Sequence, residues 1–236
     1  MTQRALIVRG GWEGHHPVES TELFLPFLQS NGYDIRVEES PDVYADADAM
    51  RATDLIVQCV TMSEITHEQV SGLREAVAAG TGLTGWHGGI ADSYRASSDY
   101  MQLVGGQFAT HPSREPSQLR EGSEENNYLT YTITMTELGR RHPITDRTED
   151  FELTTEQYWV LHDDLIDVLA TTTHPVRQWH PWHRPIHSPA IWTRLWGRGR
   201  IVVTTPGHSL EILHDANVRT VIERGMLWAS RTASAS

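Results

Sequence analysis

The sequence has little cysteine and no long apolar run, and both absences narrow the class of protein. The single cysteine, Cys59, excludes intramolecular disulfides and any cysteine-rich zinc site. Its segment, LIVQCVTMS, is typical of a buried thiol at a strand end. No apolar segment approaches the length needed to cross a bilayer, so we expect no membrane partner. No signal-peptide pattern precedes the first apolar strand, which favours a cytoplasmic location.

Basic charge is also scarce, whereas histidine is abundant. The chain has 19 Lys and Arg against 31 Asp and Glu, a formal net charge of -12. Nucleic-acid-binding surfaces normally show clustered Lys and Arg, so we expect no nucleic-acid partner. The 13 histidines are a functional indication, because imidazole suits both metal ligation and proton transfer near neutral pH.

The first third of the chain alternates short apolar runs with amphipathic stretches. The apolar runs predict strands over 4–10, 33–39, 52–59 and 82–86. The amphipathic stretches predict helices over 18–31 and over 66–80, the second with Thr66 as its N-cap. Repeated strand–helix–strand units of this length favour an α/β fold with a mainly parallel sheet.

The pattern changes between residues 105 and 190 and then returns. Residues 126–135 alternate as a half-buried strand, whereas 179–190 (WHPWHRPIHSPA) is too rich in Pro and His for regular structure. We therefore predict one domain over 1–236, in which 105–190 is an insertion folded over one side of the sheet. A strand at 199–208 and a helix over 215–230 follow, and the helix has four apolar residues on one face: Val218, Val221, Ile222 and Met226. A homo-oligomer is compatible with the sequence, and the RTASAS end is typical of disorder.

Several histidines follow predicted strands directly or nearly so. In open α/β sheets, ligands bind beyond the carboxyl ends of the strands, where loops and helix N-termini converge. The candidates lie in RGGWEGHHP (His15 and His16), GWHGG (His87), GQFATHP (His111) and PGHSLE (His208). Each alone is compatible with a capping or solvent-facing histidine, but their shared location predicts a site at this edge.

Two chemistries could use such a convergence. Neutral imidazoles with a carboxylate can bind a divalent transition metal, commonly Zn²⁺, although no H-E-x-x-H spacing is present. Alternatively, histidine and a carboxylate can act as a general acid/base pair on a sugar-like substrate. Glu156, in TTEQYW, is the candidate carboxylate, and a helix-capping glutamate is the competing interpretation. Loop tryptophans such as Trp12 and Trp86 offer flat apolar faces to a sugar ring, as well as to a protein core or interface.

An ordered set of motifs resembles a known family, the ThuA-like (trehalose utilisation) family, over nearly the whole chain. The motifs are GGWEGHHP, GWHGG, FATHP, RRHPITD, EQYW, PAIWTRLWGRGRIVVTTPGHS and VRTVIERGMLWA. The resemblance implies a class I glutamine amidotransferase-like fold, which is a flavodoxin-like three-layer α/β/α sandwich. It also implies a carbohydrate-derived substrate and a site lined by six residues: His16, His87, His111, Glu156, Tyr158 and His208.

The GWHGG motif departs from the amidotransferase pattern. There the glycine-framed turn after a central strand carries a cysteine nucleophile, and a late strand ends in a histidine and a glutamate. Here the turn carries His87, and Glu211 follows His208 one residue later than in the usual H-x-E spacing. Imidazole cannot replace a thiolate in that mechanism, so we expect no amidotransferase activity.

These observations lead to one main hypothesis and one alternative. The main hypothesis is an enzyme that acts on trehalose, a related disaccharide or a keto-sugar by proton transfer. His87, His208 and Glu156 would be catalytic, and Trp12, His16, Trp86, His111 and Tyr158 would bind the sugar. No cofactor is required in this scheme, but His16, His87, His111 and His208 could hold Zn²⁺. The alternative is a non-catalytic sugar-binding or regulatory protein on a degenerate amidotransferase-like scaffold.

Overall fold

The computed structural model describes residues 2–231, so the last five residues of the RTASAS end lie outside the described residues. The strands are β1 (Gln3–Gly11), β2 (Tyr33–Glu38), β3 (Leu55–Thr61), β4 (Gly82–Trp86), β5 (Gly106–Thr110), β6 (Tyr128–Met135), β7 (Phe151–Glu156), β8 (Trp159–His162), β9 (Asp167–His174), β10 (Ile186–Trp196) and β11 (Gly199–Thr204). The helices are α1 (Pro17–Glu22), α2 (Leu25–Ser30), α3 (Ala47–Ala52), α4 (His67–Ala78), α5 (Gly88–Ala91), α6 (Ser98–Val104), α7 (Leu210–His214) and α8 (Ala216–Ala229).

A nine-stranded sheet in the order β2-β1-β3-β4-β11-β10-β9-β6-β7 forms the centre of the fold. The five strands from β2 to β11 are parallel, and every later pairing is antiparallel. The α/β prediction is therefore confirmed, but the sheet is mixed rather than mainly parallel. Only residues 197–198 separate β10 from β11. A connection this short can join antiparallel strands but not parallel ones.

Helices cover both faces of the sheet, and side-chain alternation along the strands supplies both core layers. In β1, Ala5 and Ile7 join the layer under α1, α2, α7 and α8, whereas Leu6 and Val8 join the layer under α3, α4 and α6. The four predicted apolar residues of α8 are all buried, as expected from its helical periodicity. Thr66 caps α4 through a capping box, which confirms that helix start.

The predicted helix over 18–31 is instead two shorter helices, α1 and α2. Pro26 lies in the first turn of α2 and has no N–H to donate to the carbonyl of Glu22, four residues earlier. The hydrogen-bond ladder therefore stops at the end of α1 and restarts at Leu25.

Residues 105–190 extend the sheet rather than only covering one side of it. They supply β6, β7, β9 and the start of β10, and β5 pairs with β8 in a separate two-stranded sheet. β6 pairs with β9 through Thr134 and Met135 only, whereas its residues 128–133 pair with β7. The β6–β7 ribbon is therefore free to leave the plane of the main sheet.

The reactivity of the Cys59 thiol is a test of the core packing around β3. The side chain is 2% exposed, and burial raises the pKa of its thiol to about 11. We expect the native protein at pH 8 to react with Ellman's reagent at least about a hundredfold more slowly than the protein in guanidinium, because the thiolate is the reactive form. Fast stoichiometric labelling of the native protein would contradict this packing.

Candidate active site

His87 lies on a strained turn between β4 and α5. Its backbone has φ 50° and ψ -140°, a conformation that L-residues rarely adopt and that costs about 1–3 kcal/mol. Two backbone hydrogen bonds hold the turn: His87 N–H donates to the carbonyl of Thr204 (2.7 Å), and Ala91 N–H donates to the carbonyl of His87 (2.9 Å). The ring is thereby presented at the carboxyl edge of the parallel strands, as the GWHGG motif indicates.

The two glycines after His87 permit close packing around the turn. A Cβ on Gly88 would lie 2.5 Å from Cε1 of His15, and a Cβ on Gly89 would lie 2.9 Å from Cα of Cys59. Any side chain at Gly88 would therefore push away the His15 ring. The glycines of the motif accommodate a neighbouring histidine as well as the turn itself.

Four buried side chains meet at this edge: His15, His87, Glu156 and His208. One donor atom from each lies within 4.8 Å of the others, and this is the only such group of three or more among the described residues. His87 Nε2 is 3.2 Å from Glu156 Oε2, and His208 Nδ1 is 3.2 Å from His87 Nε2 and 3.3 Å from Glu156 Oε2. Their exposed fractions are between 1% and 8%, so water has little access to them.

Each member comes from a different element. His15 ends a one-turn helix (Glu13–His15) after β1, and His87 follows β4. His208 follows β11, whereas Glu156 is the last residue of β7. The parallel strands thus provide the three histidines, and the antiparallel extension brings the carboxylate.

The hydrogen bonds of His87 fix its tautomer. Its Nδ1 is 2.8 Å from the carbonyl oxygen of Thr205, which can only accept, so Nδ1 carries the proton. The Nε2 of a neutral His87 then has a lone pair, which faces Glu156 Oε2 and His208 Nδ1. His87 Nε2 and Glu156 Oε2 are then both acceptors, and either a proton on His208 Nδ1 or a cation between them would satisfy them.

Burial favours the neutral forms of His15 and His87 by lowering the pKa of each. It lowers the pKa of His15 to about 2, with further lowering by His87 and His208, and it also lowers the pKa of His87 against the opposing effect of Glu156. Burial alone would raise the pKa of Glu156, but the effects of the His208 and His87 side chains beside it outweigh burial, and the net direction is strongly downward. Neutral imidazoles and an ionised carboxylate are the forms that bind metals.

Aromatic and polar side chains surround this group. The Tyr158 ring lies 4.1 Å from the His87 ring, and the Trp12 ring, 40% exposed, lies 4.7 Å from the His15 ring. His111 Nε2 is 3.5 Å from Glu156 Oε1, the carboxylate oxygen that does not face His87, and its side chain is 27% exposed. The structure therefore brings together the sequence-predicted residues His87, His208, Glu156, His111, Tyr158 and Trp12.

Two residues expected in the site lie elsewhere. His16 is exposed at the N-terminus of α1, and its neighbour His15 points inward instead, because the one-turn helix ends with His15 facing the sheet. Trp86 is only 2% exposed and packs against Phe24 in the core (ring centroids 4.9 Å apart), so it forms no wall for a ligand. Glu211, on α7, is exposed and does not join the group.

Sequence reasoning missed the place of His15 in the buried group and two supporting contacts. His15 Nδ1 lies 3.0 Å from Thr61 Oγ1, and the Tyr131 hydroxyl donates to the backbone carbonyl of Glu156 (2.9 Å). The HH pair in GGWEGHHP indicates a histidine at this place but not which of the two turns inward.

A groove of about 2350 Å³ lies at the opposite, amino edge of the sheet. Several arginines and aspartates line it, among them Arg4, Asp54, Arg198, Arg200 and Arg231. It contains no group of metal-ligating side chains among residues 2–231. The volume of this groove therefore does not indicate where the buried histidines and the carboxylate lie, because they are at the carboxyl edge of the sheet.

Together, the fold and the site define an α/β protein with three buried histidines and one carboxylate at the carboxyl edge of its sheet. The family model for ThuA, described as trehalose utilisation, matches residues 4–229. The chain belongs to the ThuA family, which supports a role in carbohydrate utilisation.

Solved structures share the fold at low sequence identity. A ThuA-like protein from Bacteroides uniformis is 15% identical with a TM-score of 0.70, over 96% of this chain and 91% of that one. A ThuA-like protein from Parabacteroides merdae is also 15% identical with a TM-score of 0.70, over 100% and 93%. A cytoplasmic protein from Salmonella typhimurium LT2 is 13% identical with a TM-score of 0.62, over 98% and 100%.

Two further observations leave the family assignment unchanged. No curated protein matches the chain. No helix among the described residues has the length and apolar character to cross a membrane. The resemblance to glutamine amidotransferases stays a prediction.

The strain at His87 can be measured by two substitutions that differ only in a Cβ. Both His87→Gly and His87→Ala remove the ring, but only glycine adopts φ 50° without cost. We expect His87→Gly to be more stable to unfolding than His87→Ala by about 1–2 kcal/mol, measured in urea. At Ala5, in an extended strand, glycine in place of alanine should destabilise the protein; the same order at His87 would exclude the strain.

Proposed function

We propose that this protein is a metal-assisted enzyme of carbohydrate utilisation that transfers protons on a disaccharide or its keto derivative. The observation that supports this most directly is the arrangement of His87 Nε2, Glu156 Oε2 and His208 Nδ1, which are 3.2–3.3 Å apart. Donor atoms around a tetrahedral zinc ion with bonds of about 2.0–2.1 Å are separated by about 3.3 Å. His15, whose ring lies in the same buried group, would supply a fourth ligand.

The donor set fits a divalent transition metal. Three imidazoles and one carboxylate suit zinc, iron, cobalt or manganese, and they do not form an oxygen cage of the kind that calcium requires. The supporting contacts agree, because a ligating histidine usually donates its other N–H to a carbonyl, as His87 does to Thr205. Such a metal would act as a Lewis acid on a carbonyl or hydroxyl oxygen of the sugar, which would have to bind as a further ligand beyond the four protein donors.

The residues around the group have separate roles in this proposal. His111, which lies beside Glu156 and is partly exposed, would hold or deliver the proton. Trp12 offers a partly exposed face to a sugar ring, and the buried Tyr158 ring keeps His87 in place. The sequence contains no lysine, so no lysine side-chain amine is available for imine chemistry on a keto-sugar.

The location and partners belong to the same proposal. We infer that a small sugar is the ligand and that nucleic acid and membranes are not partners, which the net charge of -12 supports. A cytoplasmic location is supported by the structural likeness to a cytoplasmic protein of Salmonella.

Adjacent histidines provide a matched test of the metal site. His15→Ala should weaken Zn²⁺ or Co²⁺ binding at least about a hundredfold because it removes a buried ligand, whereas His16→Ala should change it less than about threefold. The measurement is calorimetric titration of protein without a histidine tag, with metal-induced thermal stabilisation as a second readout. Wild-type protein that gains neither heat of binding nor stability from Zn²⁺, Co²⁺ or Mn²⁺ would refute the metal site.

Turnover tests the proposed chemistry. Wild-type protein loaded with metal is incubated with trehalose, related disaccharides and their oxidised keto forms, and products are followed by mass spectrometry. His111→Gln should lower kcat about a hundredfold with unchanged metal content, because a general acid/base contributes about 10²–10⁴. His187→Gln, at an exposed histidine on β10, is the control. Sugar binding without any product would favour the non-catalytic alternative, and unchanged turnover in both His87→Ala and His208→Ala would reject this assignment.

A further inference from the structure

A buried polar network lies directly behind the turn that carries His87. Gln58, on β3, is fully buried, and its Nε2 donates to Ser93 Oγ (3.0 Å) and to the Tyr100 hydroxyl (2.9 Å). Its Oε1 accepts from the Tyr44 hydroxyl. Four side chains from separate elements are thus joined in a part of the core that is otherwise apolar.

The network ends on the carbonyls of α5, the helix that begins at Gly88. The Ser93 hydroxyl donates to the carbonyl of Gly89 (2.9 Å), and the Tyr100 hydroxyl donates to the carbonyl of Ile90 (2.8 Å). Because each hydroxyl has one proton and gives it to a carbonyl, each must accept from Gln58. The orientation of the Gln58 amide is therefore determined. The Tyr100 hydroxyl also lies 3.2 Å from Ser93 Oγ, so the two hydroxyls contact each other as well as Gln58.

Helix α5 needs such support. A helix of four residues is too short to be stable alone, since nucleation is unfavourable and few of its bonds are internal. It must nevertheless hold His87 at φ 50° and ψ -140°, and strained residues persist only where the surroundings determine them. The hydrogen bond from His87 N–H to the Thr204 carbonyl holds the start of the turn. The network holds the α5 residues that follow, through the carbonyls of Gly89 and Ile90.

We propose that Gln58, Tyr100 and Ser93 are positioning residues that hold the α5 turn and thereby aim His87 at Glu156 and His208. Their hydrogen bonds reach the α5 backbone rather than the His87 ring, so they act through that backbone. The functional meaning of this inference rests on the proposed metal site, but the positioning itself can be measured in the metal-free protein.

The test compares two network variants with a matched control. Tyr100→Phe and Ser93→Ala each remove one hydroxyl bond to α5, whereas Tyr33→Phe removes the hydroxyl of a buried tyrosine on the edge strand β2, far from α5. Hydrogen exchange of the amides of residues 87–91 should accelerate at least tenfold in both network variants and less than twofold in the control. The His87 ring resonances, set by the Tyr158 ring 4.1 Å away, should shift only in the network variants.

Binding of Co²⁺ to the variants is the third measurement. The dissociation constant for Co²⁺ should rise about tenfold to a hundredfold in the network variants, as for other residues that orient metal ligands, and the Co²⁺ absorption spectrum should change. Unchanged exchange and ring resonances in both variants would overturn the inference, as would wild-type Co²⁺ affinity in variants whose turn has loosened. A wild-type protein that does not bind Co²⁺ would reject the proposed function, while exchange and resonances would still decide the positioning.

Discussion

The site depends on three ligand-type atoms that face one another in a buried place. The Thr205 carbonyl takes the only proton of a neutral His87, which leaves its Nε2 lone pair 3.2 Å from the Glu156 carboxylate and from His208 Nδ1. Facing lone pairs at such distances in a buried site are strongly unfavourable unless a proton or a cation lies between them. The surroundings nevertheless hold this arrangement, through the strained turn at His87 and through burial that lowers the pKa of the His87 imidazole. Either a proton on His208 Nδ1 or, as we propose, a cation bound between the three atoms satisfies them.

The mixed sheet explains how a carboxylate reaches this place. In strand order, β7 is the edge strand of the sheet and is five positions from β4, yet Glu156 contacts the histidine that follows β4. The β6–β7 ribbon can return over the carboxyl edge because β6 pairs with β9 over only two residues. The antiparallel part thus completes a site that the parallel strands alone would leave with histidines only.

The sequence predicts where the site lies in the fold better than it predicts which residues form the site. Placement after a strand was enough to find His87 and His208, because parallel strands end at one edge. The inward direction of His15 rather than His16 depends on a one-turn helix whose path adjacent histidines do not reveal. Trp86 has the same local surroundings as a loop tryptophan, but as the last residue of β4 it alternates into the core. The antiparallel part of the sheet could be predicted only from the two-residue connection between β10 and β11. No local sequence pattern indicates the network around Gln58.

A structure of the protein loaded with Co²⁺ or Zn²⁺, with anomalous scattering to locate the metal, tests the central claim most directly. We expect one ion with three nitrogen ligands, from His15, His87 and His208, and an oxygen ligand from Glu156, at about 2.0–2.2 Å. An ion held instead by surface histidines of the segment 180–187, with the buried group unchanged, would contradict it.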